Sequence, residues 1–348
     1  MDILHLLHMQ SRLVPDMFMK FSNRYELLIA IKVNQPVGRK TLLNFINMTE
    51  RQLRTECEVL SKLGLITKKA TGMSVTEKGE ELLFEIKESV INDSFAKERS
   101  FIKNHFSIKQ VHIVAGDFVN NEATREEMTN LLLDKVNAKI TKECVIGVSG
   151  GSTMYYIAGR ANETFGYGKD VTITPIRGGL SVVNTEYQAN DIASRMAKNS
   201  GHSSQLLHAP DNIGQKALEE LKKEPVVKNA LDVIGKTSII IHSIGNAFEM
   251  AYRRKSSKDT LKVLEEKKAV CESFGSYFDE SGSEIFKTST IGMSFKDVNG
   301  IDNVFTIVGG EEKADAVYSY LNTKPANATL IIDEAICKKI IKKVNKNF

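Results

Sequence analysis

Glu143 to Arg160 reads ECVIGVSGGSTMYYIAGR, and the order of residue types in it decides how the larger part of the chain folds. Cys144, Val145, Ile146 and Val148 make an apolar run of the kind that forms a buried strand. Gly150 and Gly151 then turn the chain, and a helical pattern begins at Ser152. The first turn of such a helix offers unpaired backbone N–H groups and the positive end of the dipole, and Ser152 and Thr153 add hydroxyl donors, a combination that suits an anion. The spacing of Gly147, Gly150 and Gly151 matches neither G-x-G-x-x-G nor G-x-x-x-x-G-K-[ST], so no nucleotide cofactor is expected. The turn also has a purely structural reading, with glycine needed for backbone geometry and Ser152 as an ordinary N-cap.

Working outward, the chain from Val111 alternates strand and helix patterns to its end. Strands are expected at Val111–Ala115, Cys144–Val148, Val171–Ile176, Gln205–His208, Ser238–Ser243, Val304–Val308 and Thr329–Ile332. This alternation predicts an α/β domain, a doubly wound and mostly parallel sheet covered by helices on both faces. Ligands of such sheets sit outside the carboxyl ends of the strands. Four of those ends carry Gly150-Gly151-Ser152-Thr153, Arg177-Gly178-Gly179, Ser243-Ile244-Gly245-Asn246 and Gly309-Gly310-Glu311-Glu312-Lys313, and Arg253 and Arg254 close the helix after the third. So much positive charge on one edge points to a small molecule with more than one phosphate. Arg177 and Arg253 suit forked contacts and Lys313 a point charge, although each could equally pair with a local carboxylate.

The other end of the chain has a different character. Residues 1 to 75 hold 11 Lys and Arg against 6 Asp and Glu, a net +5, which leaves about −1 for the rest of a chain of net charge +4. A basic head on a near-neutral body implies a polyanionic partner for the head. Asn23–Val33 reads as a helix with Tyr25, Leu28 and Ile29 on one face, broken by Pro36 and Gly38. A short second helix follows at Gly38–Phe45. Thr49 opens a third, in which Thr49 and Gln52 form a capping box, Leu53, Cys57 and Leu60 make the buried stripe and Gly64 is the stop. LITKKATGMSVT then reads as two short strands. Three helices and a two-stranded wing predict a winged helix-turn-helix, whose third helix enters the DNA major groove. Arg51, Gln52, Arg54 and Thr55 are expected nearest the base edges, and Arg39, Lys40, Lys68 and Lys69 nearest the phosphates. The pattern from Glu77 to about Phe106 stays helical without a strict heptad and reads as a linker or a dimer seam.

With 348 residues, 42% of them apolar and 26% charged, the chain has the composition of a globular protein of two domains. No apolar run approaches the ~20 residues of a membrane span, and MDILHLLHMQSR lacks a basic start and a cleavage site, so a cytoplasmic protein is expected. The four cysteines, Cys57, Cys144, Cys271 and Cys337, lie far apart and suggest neither metal binding nor redox chemistry.

The turn GVSGGSTM, PIRGG at Pro175–Gly179 and GNAFEMAYRR at Gly245–Arg254 resemble the ligand edge of the SorC-type bacterial regulators. GRKTL, TERQLRTECEVLSKLGLI, GMSVTEKG, AVCESFGSYFD and IVGGEEKADAV extend that resemblance over nearly all of the chain. It implies a DNA-binding domain over 1–76, a linker helix over 77–108 and a phosphosugar-isomerase-like effector domain over 109–348. It further implies a repressor of a glycolytic operon that binds operator DNA as a homo-oligomer, dimer or tetramer, with fructose 1,6-bisphosphate as inducer. Gly151, Ser152 and Thr153 would hold one phosphate; Arg177, Arg253 and Lys313 the other end; Gln188 and Glu272 the sugar hydroxyls. The competing expectation is a phosphosugar isomerase or deaminase with an appended domain, for which His208, His242, Asp211, Glu249 and Glu272 supply possible bases.

Overall fold

A computed structural model describes residues 13–46, 48–179, 185–210 and 214–346. The chain divides into two compact units that meet in sequence at Ala96 and Lys97.

In the first unit a helix at Pro15–Asn34 is followed by a single turn at Arg39–Leu42 and by a helix at Glu50–Lys62. Leu27, Leu28 and Ile31 are buried in the long helix while Ile29 is 37% exposed, so the buried face lies one residue away from the expected one. The expected stripe of the Glu50–Lys62 helix, Leu53, Cys57 and Leu60, packs with Leu42, Leu65 and Met73 into one core. Thr49 starts that helix with a full capping box: the Gln52 amide N–H donates to the Thr49 hydroxyl at 3.3 Å, and the Thr49 amide donates to Gln52 Oε1 at 2.9 Å. Thr49→Ala is expected to cost about 1 kcal/mol of stability in this unit, readable as a lowered midpoint in chemical denaturation. Strands β1 (Ile66–Lys69) and β2 (Gly72–Val75) pair antiparallel as the wing. The expected single helix over 77–106 is two, Glu77–Ser94 and Ala96–Phe106, interrupted at Phe95.

The second unit is built on a seven-stranded sheet. Its strands are β3 (Gln110–Val114), β4 (Glu143–Val148), β5 (Asp170–Pro175), β6 (Ser203–Ser204), β7 (Ile239–His242), β12 (Asn303–Val308) and β13 (Ala328–Asp333). They lie in the order β3-β13-β12-β7-β4-β5-β6 and every neighbouring pair is parallel. β4, β7, β12 and β13 have buried interiors on both faces, as the continuous apolar runs require. From β4 the chain winds outward through β5 to β6, then returns to β7 and winds the other way. The topological switch point is therefore the β4–β7 seam, where an open α/β sheet leaves a crevice.

One expected strand is displaced: Gln205–His208 lies outside the sheet, and Ser203–Ser204 pairs with β5 in its place. A second, antiparallel sheet was absent from the expectation. It has the order β11 (Glu284–Lys287), β10 (Ser276–Phe278), β9 (Cys271–Ser273) and β8 (Gly245–Asn246). Its members are two to four residues long and carry no period-2 signal.

Candidate functional site

At the end of β4, the Ser149 amide donates to the Ile241 carbonyl of β7 at 3.1 Å, and the Ser149 hydroxyl accepts from the Ser243 amide at 3.2 Å, closing the seam. Two glycines make the turn that follows. A Cβ on Gly150 would stand 2.8 Å from the Tyr187 carbonyl, and Gly151 has φ +120°, a conformation L side chains rarely adopt. The Gly151 amide donates to the same carbonyl at 2.8 Å. The helix that starts here, Ser152–Ala158, has no side-chain cap. Ser152 is exposed beside buried Thr153 and is not the N-cap, a position held by Gly151.

Thr153 receives a hydrogen bond from Lys313 Nζ at 3.4 Å, across the switch point from the loop after β12. Burial lowers the ammonium pKa of Lys313 and nearby Arg253 adds to the effect, while Glu312, Glu249 and Asp333 oppose it. Arg253 is ion-paired with Glu249 one turn earlier on the helix Ala247–Arg253. Thr153, Lys313, Glu249 and Arg253 therefore form one group, with the Tyr187–Gln188 backbone packed against its glycine turn.

Arg177, Arg254 and Glu272 form a second group. Arg177 follows β5, its backbone held by a bridge to Gly292, and its side chain is 9% exposed. Glu272, 5% exposed on β9, accepts on Oε1 from Arg254 Nη2 at 2.9 Å, Arg177 Nη1 at 3.4 Å and the Gly275 amide at 2.7 Å. Burial works to raise the Glu272 pKa, but the two guanidiniums and the Gly275 amide outweigh it and leave the carboxyl ionised below its usual range. β9 and β10 are joined by Phe274 and Gly275, both at positive φ, a two-residue hairpin turn. A Cβ on Gly275 would stand 2.6 Å from Arg177 Nη1, so the guanidinium lies directly on the turn. Gly179 lies against the Gln188 side chain, with Oε1 3.3 Å from a would-be Cβ. Through it the Arg177 strand end meets the segment that supports Gly150 and Gly151.

Sequence reasoning passed over Arg254 in favour of Arg253. The structure turns Arg254 inward onto Glu272, while Arg253 stays 42% exposed. It also missed Asp333, fully buried at the end of β13. Asp333 Oδ2 accepts from the Phe118 amide at 2.9 Å and the Gly310 amide at 2.7 Å, and Oδ1 from the Ile336 amide at 2.9 Å. Its signal was legible: Asp-Glu directly after an apolar run and before a helical pattern is a cap signature.

Three of the five bases considered for catalysis, His242, Glu249 and Glu272, are otherwise engaged. His242 is buried in β7, its Nε2 2.7 Å from the Thr306 hydroxyl and its ring against Phe274. Burial lowers its pKa to about 3, from 6.5, which keeps the ring neutral. A depressed histidine pKa stabilises the fold above the unfolded value, and that contribution is lost as pH falls through the window from 6.5 toward 3. On the order of 2 kcal/mol is expected to disappear between about pH 7.5 and pH 5 on this account. His242→Gln should flatten the acid limb of a pH series of denaturation curves by that amount. Glu249 and Glu272 are paired with arginines, His208 is exposed, and Asp211 lies outside the described residues.

On the first unit, Arg39, Lys40, Arg51, Arg54, Lys68 and Lys69 are all exposed. Arg54 Nε lies 3.4 Å from Glu58 Oε1, with both side chains more than half exposed, and the Thr55 hydroxyl donates to the Arg51 carbonyl at 3.0 Å. Gln52 Oε1 accepts from the Thr49 amide at 2.9 Å and from the Thr49 hydroxyl at 2.8 Å, as the capping box requires.

A winged three-helix unit and a parallel sheet with basic side chains gathered at one edge have the form of a DNA-binding regulator with a ligand-sensing body. Residues 21–90 match the family model "CggR N-terminal DNA binding domain" and residues 91–342 the model "Putative sugar-binding domain". The chain belongs to the SorC-type family of transcriptional regulators. It is 31% identical over 343 residues to the central glycolytic genes regulator of Bacillus subtilis (strain 168), covering 97% of this chain and 98% of that one. The protein of the same name from Priestia megaterium is 31% identical over 342 residues, covering 98% and 99%. Among solved structures, that titled "putative SorC family transcriptional regulator from Enterococcus faecalis" is 32% identical with TM-score 0.66, covering 70% of this chain and 99% of its own. The full-length sorbitol operon regulator SorC from Klebsiella pneumoniae shares the fold at TM-score 0.61 and 14% identity, covering 88% and 94%.

Proposed function

We propose that this chain is a repressor of glycolytic genes whose winged head grips operator DNA and whose body releases or reshapes that grip on binding fructose 1,6-bisphosphate. The observation that carries the reading is the meeting of Thr153, Lys313 and Arg253 in one group and Arg177 and Arg254 in another, all from the segments that follow β4, β5, β7 and β12. One phosphate is held by Gly151, Ser152 and Thr153; Arg253, Lys313 and Arg177 take the other end; Gln188 and Glu272 face the sugar. Cations, hydroxyls and backbone amides account for binding without a general base, so the chain acts as a cytoplasmic sensor and not as an isomerase or deaminase. The functional unit is a homo-oligomer, dimer or tetramer. The ligand shifts DNA affinity by the difference in its own affinity for the two states.

A thermal-shift screen of glycolytic intermediates tests the reading, since a ligand of the native state raises Tm. Fructose 1,6-bisphosphate should give the largest rise, and a screen in which no phosphosugar moves Tm overturns the reading. Incubation with fructose 6-phosphate or glucosamine 6-phosphate should show no turnover. In the head, Arg51→Ala or Arg54→Ala is expected to weaken operator binding by about 1–3 kcal/mol with bisphosphate affinity unchanged. Lys68→Ala should instead reduce the salt dependence of binding, as measured by fluorescence anisotropy.

A further inference from the structure

Glu272 is a deeply buried carboxylate on the ligand edge. All its described donors converge on Oε1: Arg254 Nη2 at 2.9 Å, the Gly275 amide at 2.7 Å and Arg177 Nη1 at 3.4 Å. The contacts are unequal. Arg254 is the nearer partner and its Nη1 also reaches the Tyr277 hydroxyl at 3.5 Å, inside the small sheet. Arg177 is held at the longer distance and comes from a different element, the end of β5. Resting on the effector reading above, we propose that Glu272, fixed by Arg254, is an internal counter-ion that holds Arg177 and so weakens the hold of the site on a ligand that offers a bare phosphate alone.

The physics is a competition for one guanidinium. An incoming phosphate must take Arg177 from a carboxylate that is already desolvated and already hydrogen-bonded, so the exchange yields little net Coulomb energy. A lone inorganic phosphate has nothing else to offer. A sugar bisphosphate brings a second phosphate for Gly151, Ser152 and Thr153 and hydroxyls for Gln188, and so meets the cost of the exchange. Arg254 is a positioning residue in this scheme. It keeps Glu272 charged and aimed while leaving Arg177 the looser partner. The adjacent Arg253, tied to Glu249 on the exposed side, has no such part.

Isothermal titration of the full chain with inorganic phosphate and with fructose 1,6-bisphosphate provides the test. In Glu272→Gln the competitor's charge is gone and two guanidiniums are left without it. Affinity for inorganic phosphate should rise about tenfold, or ~1.4 kcal/mol. In Arg254→Met, Glu272 falls wholly to Arg177 and both ligands should bind about tenfold more weakly. The double variant Arg254→Met/Glu272→Gln should recover phosphate binding, which a variant damaged only in its packing would not do. An unchanged or lower phosphate affinity in Glu272→Gln, with bisphosphate still bound by the wild type, overturns the inference and leaves the effector reading standing. A gain of phosphate binding in Glu272→Gln beside a wild type that ignores fructose 1,6-bisphosphate would support the inference and overturn the effector reading.

Discussion

Replacing Thr153 and Arg177 together with alanine is expected to weaken fructose 1,6-bisphosphate binding at least about a hundredfold, since each loses a hydrogen bond to a charged group worth about 1.5–3 kcal/mol. Thr153 comes from the first turn of the helix after β4 and Arg177 from the loop after β5, so neither can replace the other. The fold should survive the change. Thr153→Ala leaves Lys313 with Glu312, Glu249 and Asp333 as nearby opposite charges, and Arg177→Ala leaves Glu272 held by Arg254 at 2.9 Å. The double variant should therefore bind operator DNA with wild-type affinity and fail to respond to the sugar. Calorimetry for the ligand and anisotropy for the DNA check both halves, and a bisphosphate affinity within threefold of wild type would show the site to be misplaced.

The second large effect is on stability. Asp333→Ala leaves the Phe118, Gly310 and Ile336 amides without their buried acceptor. Unsatisfied buried donors cost about 1–3 kcal/mol each, so a loss of about 3–5 kcal/mol is expected in the second unit after partial relaxation. Asp333→Asn keeps an oxygen for some of these donors and should lose less. Thermal denaturation separates the two variants. Because Asp333 holds Gly310, three residues before Lys313, the asparagine variant should also bind the effector more weakly than its stability alone would suggest.

The parts of this molecule that were legible in the sequence are those with a local cause. Thr49 and Gln52 announce a capped helix because both halves of the box lie within four residues. Cys144–Val148 announces a buried strand because a doubly covered strand is apolar throughout. Arg177 and Lys313 could be placed on one edge because parallel topology sends every loop after a strand to the same side. What failed has non-local causes. The small sheet of β8 to β11 uses strands of two to four residues held mainly by packing, as at Tyr277, which is fully buried. Gln205–His208 has apolar content but finds no place in the sheet. The break at Phe95 has no proline or glycine to mark it, and I-to-I+1 neighbours such as Arg253 and Arg254 part company because a helix ends between them. The pairing of Glu272 with Arg177 spans 95 residues and has no sequence signature.

The β4–β7 joint has one more implication. It carries three partner pairs, against six between β4 and β5 and four between β7 and β12. The two halves of the sheet thus meet along their shortest interior zip, and the loops proposed to grip the bisphosphate stand at its open end. A molecule clasped from both sides there works as a rivet, lending stiffness to the line along which the domain would otherwise first come apart.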